Sequence, residues 1–286
     1  MTRPRSSVSR SEPLHLQVAR NIRNDIEAGV LRDGQRLPST RELAEEWGVS
    51  TPVINDAMAL LSKEGLVESK PRAGRVVRAP EQERVRQRPA APHVVFVGGY
   101  AGSGKTELGR ILARETGWAL LDKDTLTRPV VEAALEALGR SPHDRESDFY
   151  LSSIRPREYE SLVNAMTENL QCGNSSVVTA PFIREFADEA WVNRINATCR
   201  DFGATPTFVW LFCDEDTMHT YVRHRGAARD AAKLADWPGY MAGVDLDLRP
   251  PVPHVVVDNS ASSRPLQEQA RELIEQIEIT KAEQGK

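Results

Sequence analysis

The chain has 286 residues, of which 40 % are hydrophobic and 27 % are charged, an ordinary composition for a globular protein long enough for two domains. It contains no apolar run of the roughly 18–20 residues that span a bilayer, and the charged first residues lack the apolar segment of a secretory signal. Its three cysteines have no paired spacing, which is typical of a reducing compartment and does not indicate a structural metal. We therefore expect a cytoplasmic protein without a membrane partner.

Charge is unevenly distributed along the chain. The net charge is −4, yet residues 1–90 contain 16 basic and 12 acidic side chains, a balance of +4. A basic first third on an acidic protein indicates a polyanionic partner for that third, although a solvated charged face produces the same count.

Four segments are predicted along the chain. Residues 1–12 are rich in Ser and Arg without periodicity and predict a disordered tail, residues 13–79 predict a compact first domain, and the polar residues 80–92, bounded by prolines, predict a linker. From residue 93 to residue 286, short apolar runs such as HVVFV, SVVTA and TFVWLF alternate with amphipathic stretches. This alternation predicts an α/β fold, a doubly wound parallel sheet with helices on both faces.

The first domain begins with two predicted helices. Apolar residues recur at roughly helical spacing over residues 14–31 and predict the first of them. Ser39, followed three residues later by Glu42, predicts the capping box of the second helix, and Gly48 predicts its end.

A third helix and a hairpin complete the predicted domain. Thr51 is the expected N-cap of the third helix, Pro52 suits its first position, and Gly65 is expected to end it. The segment LVESKPRAGRVVRA then predicts two short strands around a basic turn. Two helices joined by a tight turn and followed by a basic hairpin form a winged helix-turn-helix.

This domain resembles the GntR family of bacterial transcription regulators in the segments LPSTRELAEEWGVS, ALLSKEGLVE and RAGRVV. The resemblance implies a dimer that binds a double-stranded DNA operator, with the third helix in the major groove and the wing in the minor groove. The implied DNA-binding residues are Arg36, Arg41, Ser50, Thr51, Asn55, Lys70, Arg72, Gly74 and Arg75.

The operator sequence is expected to differ from the family's usual one. The family commonly has arginine at the positions of Thr51 and Asn55, and arginine reads guanine whereas asparagine prefers adenine. The alternative function for this domain is a protein-interaction module or a dimerisation module.

A second motif, GGYAGSGKT at residues 98–106, is typical of a phosphate loop. The pattern G-x-x-x-x-G-K-T lies between a buried strand and an amphipathic helix, where glycines let backbone N–H groups converge on phosphates. The lysine supplies charge to the phosphates and the threonine hydroxyl is a ligand for Mg²⁺. We therefore predict ATP, or another nucleoside triphosphate, with Mg²⁺ as cofactors. The candidate nucleotide-binding residues are Gly99, Gly102, Ser103, Gly104, Lys105 and Thr106.

Acidic and basic residues follow two later strands of the second domain. The strand WALL ends in Asp122 and Asp124, which places both carboxylates on the ligand side of a doubly wound sheet. Arg223, Arg225 and Arg229 follow the strand TFVWLF.

From residue 93 to about residue 283 the chain resembles the kinase group that contains chloramphenicol phosphotransferase, gluconate kinase and zeta toxins. The resemblance implies that Asp124 accepts the proton of an acceptor hydroxyl. It also implies that Arg223, Arg225 and Arg229 form a lid that, with Lys105, neutralises charge on the phosphates. Thr106 and Asp122 are the candidate metal residues.

Each of these roles has a structural alternative. Asp122 and Asp124 are also suited to cap the following helix, and the three arginines are also suited to pair with Glu215, Asp216 and Asp230. The third strand of the domain ends at Thr179 without an acidic neighbour, which counts against efficient turnover.

Together the two motifs predict a nucleotide-responsive transcription regulator, in which nucleotide binding, with or without a small hydroxylated ligand, alters operator binding. The alternative is an active small-molecule kinase that also carries a DNA-binding domain.

Overall fold

The computed structural model describes residues 13–27, 30–70, 74–78, 91–226 and 230–284. The predicted tail, residues 1–12, and residues 80–90 of the predicted linker lie outside these ranges. The chain divides into two compact units, Met1–Gln87 and Arg88–Lys286. Throughout the described ranges, every helix is too short or too polar to cross a bilayer.

The first unit consists of three helices and an antiparallel hairpin. Its elements are α1 (Leu14–Glu27), α2 (Thr40–Trp47), α3 (Thr51–Lys63), β1 (Val67–Lys70) and β2 (Gly74–Val77). They enclose an apolar core in which Ile22, Leu43, Ile54 and Leu61 are fully buried. The predicted winged helix-turn-helix is confirmed, although the tip of the hairpin, residues 71–73, lies outside the described residues.

Local signals set both ends of α2. The Ser39 hydroxyl accepts a hydrogen bond from the Glu42 backbone N–H at 3.3 Å, and the Glu42 carboxylate accepts one from the Ser39 N–H at 2.7 Å. These two bonds form the predicted capping box. The pKa of Glu42 is lowered because its carboxylate accepts hydrogen bonds from the Ser39 backbone, the larger effect, and from the Ser39 side chain. Gly48 ends the helix in the left-handed conformation, with φ 63°.

The N-terminus of α3 lies one residue before the predicted one. Ser50, not Thr51, is the N-cap: its backbone is extended, with φ −75° and ψ 153°, whereas that of Thr51 is already helical. Pro52 is consequently the second helical residue, a position in the first turn where the missing N–H of proline costs no helical hydrogen bond.

The second unit is a five-stranded parallel sheet covered by helices. The strands are β3 (His93–Gly98), β4 (Ala119–Asp122), β5 (Ser176–Thr179), β6 (Thr205–Phe212) and β7 (Val255–Asp258). The helices are α4 (Lys105–Thr116), α5 (Lys123–Ala137), α6 (Arg155–Gln171), α7 (Glu189–Asp201), α8 (Glu215–Arg225), α9 (Ala231–Ala235), α10 (Trp237–Met241) and α11 (Leu266–Gln284), and a π-helical segment, Tyr150–Ile154, precedes α6.

Helices pack on both faces of the central strand β3. Val95 and Val97 contact the cluster built from α4 and α11, whereas Val94 and Phe96 contact the cluster built from α6 and α7. A strand buried on both faces is apolar throughout, which explains the uninterrupted run HVVFV. The predicted doubly wound parallel sheet is confirmed.

The strand order is β4-β5-β3-β6-β7, so β3 lies between β5 and β6. The chain builds one side of the sheet with β4 and β5 and then crosses β3 to build the other side. The carboxyl end of β3 is therefore the topological switch point, the place where open α/β sheets bind their ligands. Residues 99–104 begin at this point.

Candidate functional site

The loop of residues 99–104 packs closely against neighbouring elements. A Cβ on Gly99 would lie 2.6 Å from a backbone oxygen of β6. Gly102 has φ 86°, and a Cβ there would lie 2.7 Å from Cγ2 of Val222 in α8. Gly104 has φ 93°, and a Cβ there would lie 2.2 Å from Nδ2 of Asn259. Residues with a Cβ rarely adopt such φ values and have no room here, so the loop requires glycine.

We expect Gly104→Ala to weaken Mg-ATP binding in calorimetry by about tenfold or more. A positive φ costs a residue with a Cβ about 1–2 kcal/mol, and the loop relieves this strain by leaving the conformation in which its N–H groups face the phosphates. The added methyl also displaces Asn259, whose Nδ2 donates to the Ser103 carbonyl at 3.0 Å. Gly117→Ala is the matched control, because Gly117 also has a positive φ, 73°, but no atom lies within 4 Å of its Cβ position. Equal ATP affinity in wild type and Gly104→Ala would contradict the expectation.

Two side chains of the loop region fit the requirements of bound phosphates. Lys105, the first residue of α4, donates from Nζ to the Tyr100 carbonyl at 2.6 Å, so its ammonium group lies across the loop. Ser103 is 1 % exposed, and its Oγ has no hydrogen-bond partner among the described residues. A buried unsatisfied hydroxyl is costly, and a phosphate oxygen would satisfy it. With the backbone N–H groups that begin α4, these atoms fit a nucleotide's phosphates.

Asp122 connects the start of α4 with the ends of two strands. Its Oδ2 accepts hydrogen bonds from Thr106 Oγ1 at 3.1 Å and from Thr179 Oγ1 at 2.7 Å. Its Oδ1 accepts the Thr125 backbone N–H at 2.9 Å, so Asp122 also caps α5. Thr179 thus obtains from the neighbouring strand β4 the acidic partner that its own segment lacks.

The oxygens of Thr106 and Asp122 suit a magnesium ion. Mg²⁺ prefers hydroxyl, carboxylate and phosphate oxygens and commonly binds through one or two protein side chains plus a substrate phosphate. In the described ranges, no three His, Cys, Asp or Glu side chains gather into a metal site of their own. An ion held by Thr106 and Asp122 would therefore depend on the phosphates of a nucleotide, to which it would supply positive charge.

Asp124 lies in the first turn of α5 and is attached to a buried polar cluster. Its side chain is 37 % exposed, and its Oδ1 lies 3.0 Å from Lys123 Nζ. Lys123 is buried and also donates to Glu158 Oε1 at 3.0 Å. Glu158 further accepts hydrogen bonds from the hydroxyls of Thr127 and Tyr150. We call Lys123, Thr127, Tyr150 and Glu158 the Glu158 cluster.

The predicted arginine lid is only partly described. Arg223 is exposed on α8, directly after Val222, whose side chain lies against the position of Gly102. The side chain of Arg225 and the whole of Arg229 lie outside the described residues. Arg223 is therefore the residue next to Val222, through which α8 contacts the loop of residues 99–104.

Two of the acidic residues considered as partners for these arginines contact other described residues. Glu215 accepts a hydrogen bond from Trp237 Nε1 at 3.1 Å, and the buried Asp230 lies 3.4 Å from Lys233 Nζ. Asp216 is exposed. These contacts do not involve Arg223.

Asn259 is a site residue that the sequence did not reveal. Its amide braces the loop through the Ser103 carbonyl, and its side chain is buried. It directly follows β7, and the carboxyl ends of parallel strands meet at one edge of the sheet. The position of Asn259 directly after the apolar run of β7 could therefore have indicated a site residue from the sequence.

In the first unit, the residues predicted to bind DNA lie on α2, α3 and the hairpin. Ser50, Thr51 and Asn55 are exposed at the start of α3. Arg41 on α2 has an 89 % exposed side chain, which pairs with Glu45 at 3.2 Å. Lys70, at the end of β1, is exposed.

The remaining predicted residues concern the hairpin. Arg36 pairs with Val76 through a backbone bridge, and its Nε lies 3.5 Å from where a Cβ on Gly74 would be. Gly74 has φ 77° and begins β2, whereas Arg72 lies outside the described residues. Arg75 is half-buried, because its guanidinium contacts Thr40 of α2 and Asn55 of α3. This burial lowers the pKa of Arg75.

These features define the class of each unit: a winged helix-turn-helix domain followed by a kinase-like P-loop domain. The family model described as "AAA domain" matches residues 94–246, more than half of the chain, and the chain belongs to this family. The model described as "Bacterial regulatory proteins, gntR family" matches residues 14–77, so the predicted resemblance of the first unit is confirmed.

Individual relatives match one unit or the other. The Uxu operon regulator of Haemophilus influenzae is 38 % identical over 68 residues, 23 % of this chain and 26 % of the regulator. The shikimate kinase of Moorella thermoacetica is 29 % identical over 104 residues, 35 % of this chain and 58 % of the kinase. Among solved structures, a putative kinase from Chloroflexus aurantiacus has 18 % identity and a TM-score of 0.48, covering 65 % of this chain and 98 % of that one. The chain thus spans about a quarter of the regulator and less than two thirds of the kinase.

Proposed function

We propose that the protein is a DNA-binding transcription regulator whose kinase-like domain binds ATP and Mg²⁺ and thereby modulates operator binding. The observation that carries the proposal is the phosphate loop of residues 99–104. Its glycines have no room for a side chain, and the buried Ser103 hydroxyl has no partner among the described residues. A loop built in this way, in one chain with a gntR-family domain, supports a nucleotide signal directed at DNA.

DNA binding is supported by the first unit. The polar residues at the start of α3 are exposed, as a helix that enters the major groove requires, and residues 1–90 are basic on balance. The matched relatives include a protein named as an operon regulator and one named as the transcriptional repressor NagR of Bacillus subtilis. We propose that this chain binds double-stranded DNA as a homodimer, because dimeric helix-turn-helix proteins match the two-fold symmetry of their operators.

A small hydroxylated molecule is a further proposed ligand of the second unit. The matched shikimate kinase is named for phosphorylating a small hydroxylated acid, and Asp124 lies at the same edge of the sheet as the phosphate loop. A ligand bound beside Asp124 would lie near the terminal phosphate of a nucleotide. Nucleotide and small ligand would then act together on the DNA-binding unit.

A modest coupling free energy is enough for such regulation. Coupling of about 1–3 kcal/mol between two sites changes affinity roughly 5- to 150-fold. The nucleotide needs only to bind one arrangement of the protein more tightly than another.

The second candidate function is an active small-molecule kinase that also binds DNA. It is favoured by Asp124, a partly exposed carboxylate two residues beyond Asp122 and at the edge where phosphates would bind. General-base catalysis by such a carboxylate contributes about 10²- to 10⁴-fold to the rate.

Asp124→Asn distinguishes the two functions. If the domain is a sensor, we expect the variant to keep nucleotide-dependent DNA binding within about twofold, because the change removes a charge but no phosphate ligand. If the domain is a kinase, transfer of phosphate to an added hydroxylated compound should fall about 100-fold or more while ATP still binds.

The experiment uses the full-length protein. An operator duplex is first selected from a randomised library, then titrated with and without Mg-ATP beside an assay of phosphate release. Glu136→Gln, an exposed carboxylate on the same helix, is the matched control. Rapid wild-type transfer that Asp124→Asn abolishes, with operator affinity insensitive to nucleotide, would favour the kinase over the regulator.

A further inference from the structure

In the first unit, Arg75 on strand β2 of the hairpin is hydrogen-bonded to α3, the helix proposed to enter the major groove. Arg75 Nη2 donates to Asn55 Oδ1 at 3.1 Å, and Arg75 Nη1 donates to Thr40 Oγ1 at 2.8 Å. One guanidinium thus connects β2 with the start of α2 and with the exposed face of α3. Its two contacts use the fork geometry of arginine, which a lysine ammonium does not reproduce.

The contact fixes the orientation of the Asn55 carboxamide. A guanidinium has only N–H donors, so the atom of Asn55 that faces it is the amide oxygen. The NH₂ group of Asn55 lies on the opposite branch of the same carboxamide, away from Arg75. Asn55 is exposed, and this NH₂ group is therefore a donor available to a neighbouring base.

This orientation changes which base suits Asn55. Asparagine reads adenine by donating to N7 and accepting from the N6 amino group, which requires both ends of the amide. Here one lone pair of the oxygen already accepts from a cation, and a second donor, the approaching N6 amino group, would lie beside that positive charge. Guanine presents two acceptors, N7 and O6, to the major groove and fits the NH₂ donor of Asn55 better than adenine does.

We propose that Arg75 and Asn55 act as one unit that directs the NH₂ donor of Asn55 to the major groove and so selects guanine rather than adenine. Asn55 makes the base contact, and Arg75 is a positioning residue that holds the amide. The inference rests on the proposed DNA binding of this unit and adds its base specificity. It replaces the preference for adenine expected of an isolated asparagine.

The test compares full-length wild type with Asn55→Ala, Arg75→Lys and Arg41→Ala. A duplex selected by the wild type from a randomised library is substituted one base pair at a time, and affinities are measured at several salt concentrations. The readout is the ratio of affinities for guanine and adenine at each position. A variant that is partly unfolded loses affinity for both duplexes equally, so the ratio is insensitive to a purely structural defect.

The wild type is expected to prefer guanine at one position of each half-site by about fivefold or more. Asn55→Ala should remove this preference at that position alone. Arg75→Lys keeps the charge but not the fork, so the same ratio should fall to about one or below with the salt dependence unchanged. Arg41→Ala, whose side chain is 89 % exposed, should lower the salt slope by about 0.9 and leave the ratio intact.

Two results would overturn the inference while leaving DNA binding in place. One is a wild-type preference for adenine at the position that depends on Asn55. The other is an unchanged guanine preference in Arg75→Lys. If the wild type shows no salt-dependent binding to any duplex, the proposed function fails and this inference fails with it.

Discussion

Glu158→Ala is expected to lower the free energy of unfolding of the second unit by about 3–5 kcal/mol. Glu158 is 2 % exposed and is the common acceptor for Lys123, Thr127 and Tyr150. Without Glu158, the positive charge of the buried Lys123 ammonium is neutralised only in part, by Asp124 at 3.0 Å. Urea denaturation followed by tryptophan fluorescence measures the change, since four of the five tryptophans lie beyond residue 88.

The matched control is an ion pair on the outer side of the same helix. Arg157 and Glu160 approach within 2.7 Å, but their side chains are 78 % and 44 % exposed. Exposed pairs contribute about 0–1 kcal/mol, so Glu160→Ala should change unfolding little. Equal losses in Glu158→Ala and Glu160→Ala would show that the buried cluster does not hold α5 and α6 together.

Lys105→Ala is expected to reduce Mg-ATP affinity about 10- to 150-fold, the value of one charge-assisted hydrogen bond of about 1.5–3 kcal/mol. The Lys105 ammonium donates to the Tyr100 carbonyl across the loop, and a phosphate oxygen would replace that carbonyl as its acceptor. Calorimetry on the full-length protein measures the affinity, and the melting temperature should shift little.

Arg110→Ala is the matched control for this change. Arg110 is an exposed cation on the same helix, α4, outside the phosphate loop. Its removal should leave ATP affinity within about twofold, since exposed charges interact weakly through solvent. If Lys105→Ala binds Mg-ATP as tightly as wild type, the loop is not the nucleotide site.

The parts of the fold that the sequence predicts are those set by local signals. Ser39 and Glu42 form the predicted capping box because both partners lie within one helical turn. The apolar run of β3 and the glycines of the next loop are likewise contiguous in sequence. A strand, a glycine loop and a helix in that order leave few other arrangements for the backbone.

Periodicity misplaced the end of α1. Val30 continues the helical spacing from Ile26, but it lies outside α1 and is 46 % exposed. Leu31 instead reaches the core. An apolar residue that keeps the spacing after the helix has ended does not share its buried face.

The contacts that complete the candidate site join residues far apart in the chain. The Thr179 hydroxyl meets Asp122 because β4 and β5 are adjacent parallel strands. Glu158 is buried because Lys123 lies opposite it, 35 residues earlier. Buried glutamate is rare, and a helical segment as polar as RPREYESL predicts an exposed face. Such pairings follow from strand order and helix packing, which a single sequence does not specify.

The most direct measurement of the central claim is operator affinity in three nucleotide states of the full-length protein. The selected duplex is titrated with protein alone, with Mg-ATP and with Mg-ADP. We expect Mg-ATP to change the affinity by about 5- to 150-fold, and the operator to change ATP affinity by the same factor, because coupling between two sites is reciprocal. Lys105→Ala should abolish the change at ATP concentrations that saturate only the wild type. Identical operator affinities in all three states, with ATP binding shown by calorimetry, would contradict the account.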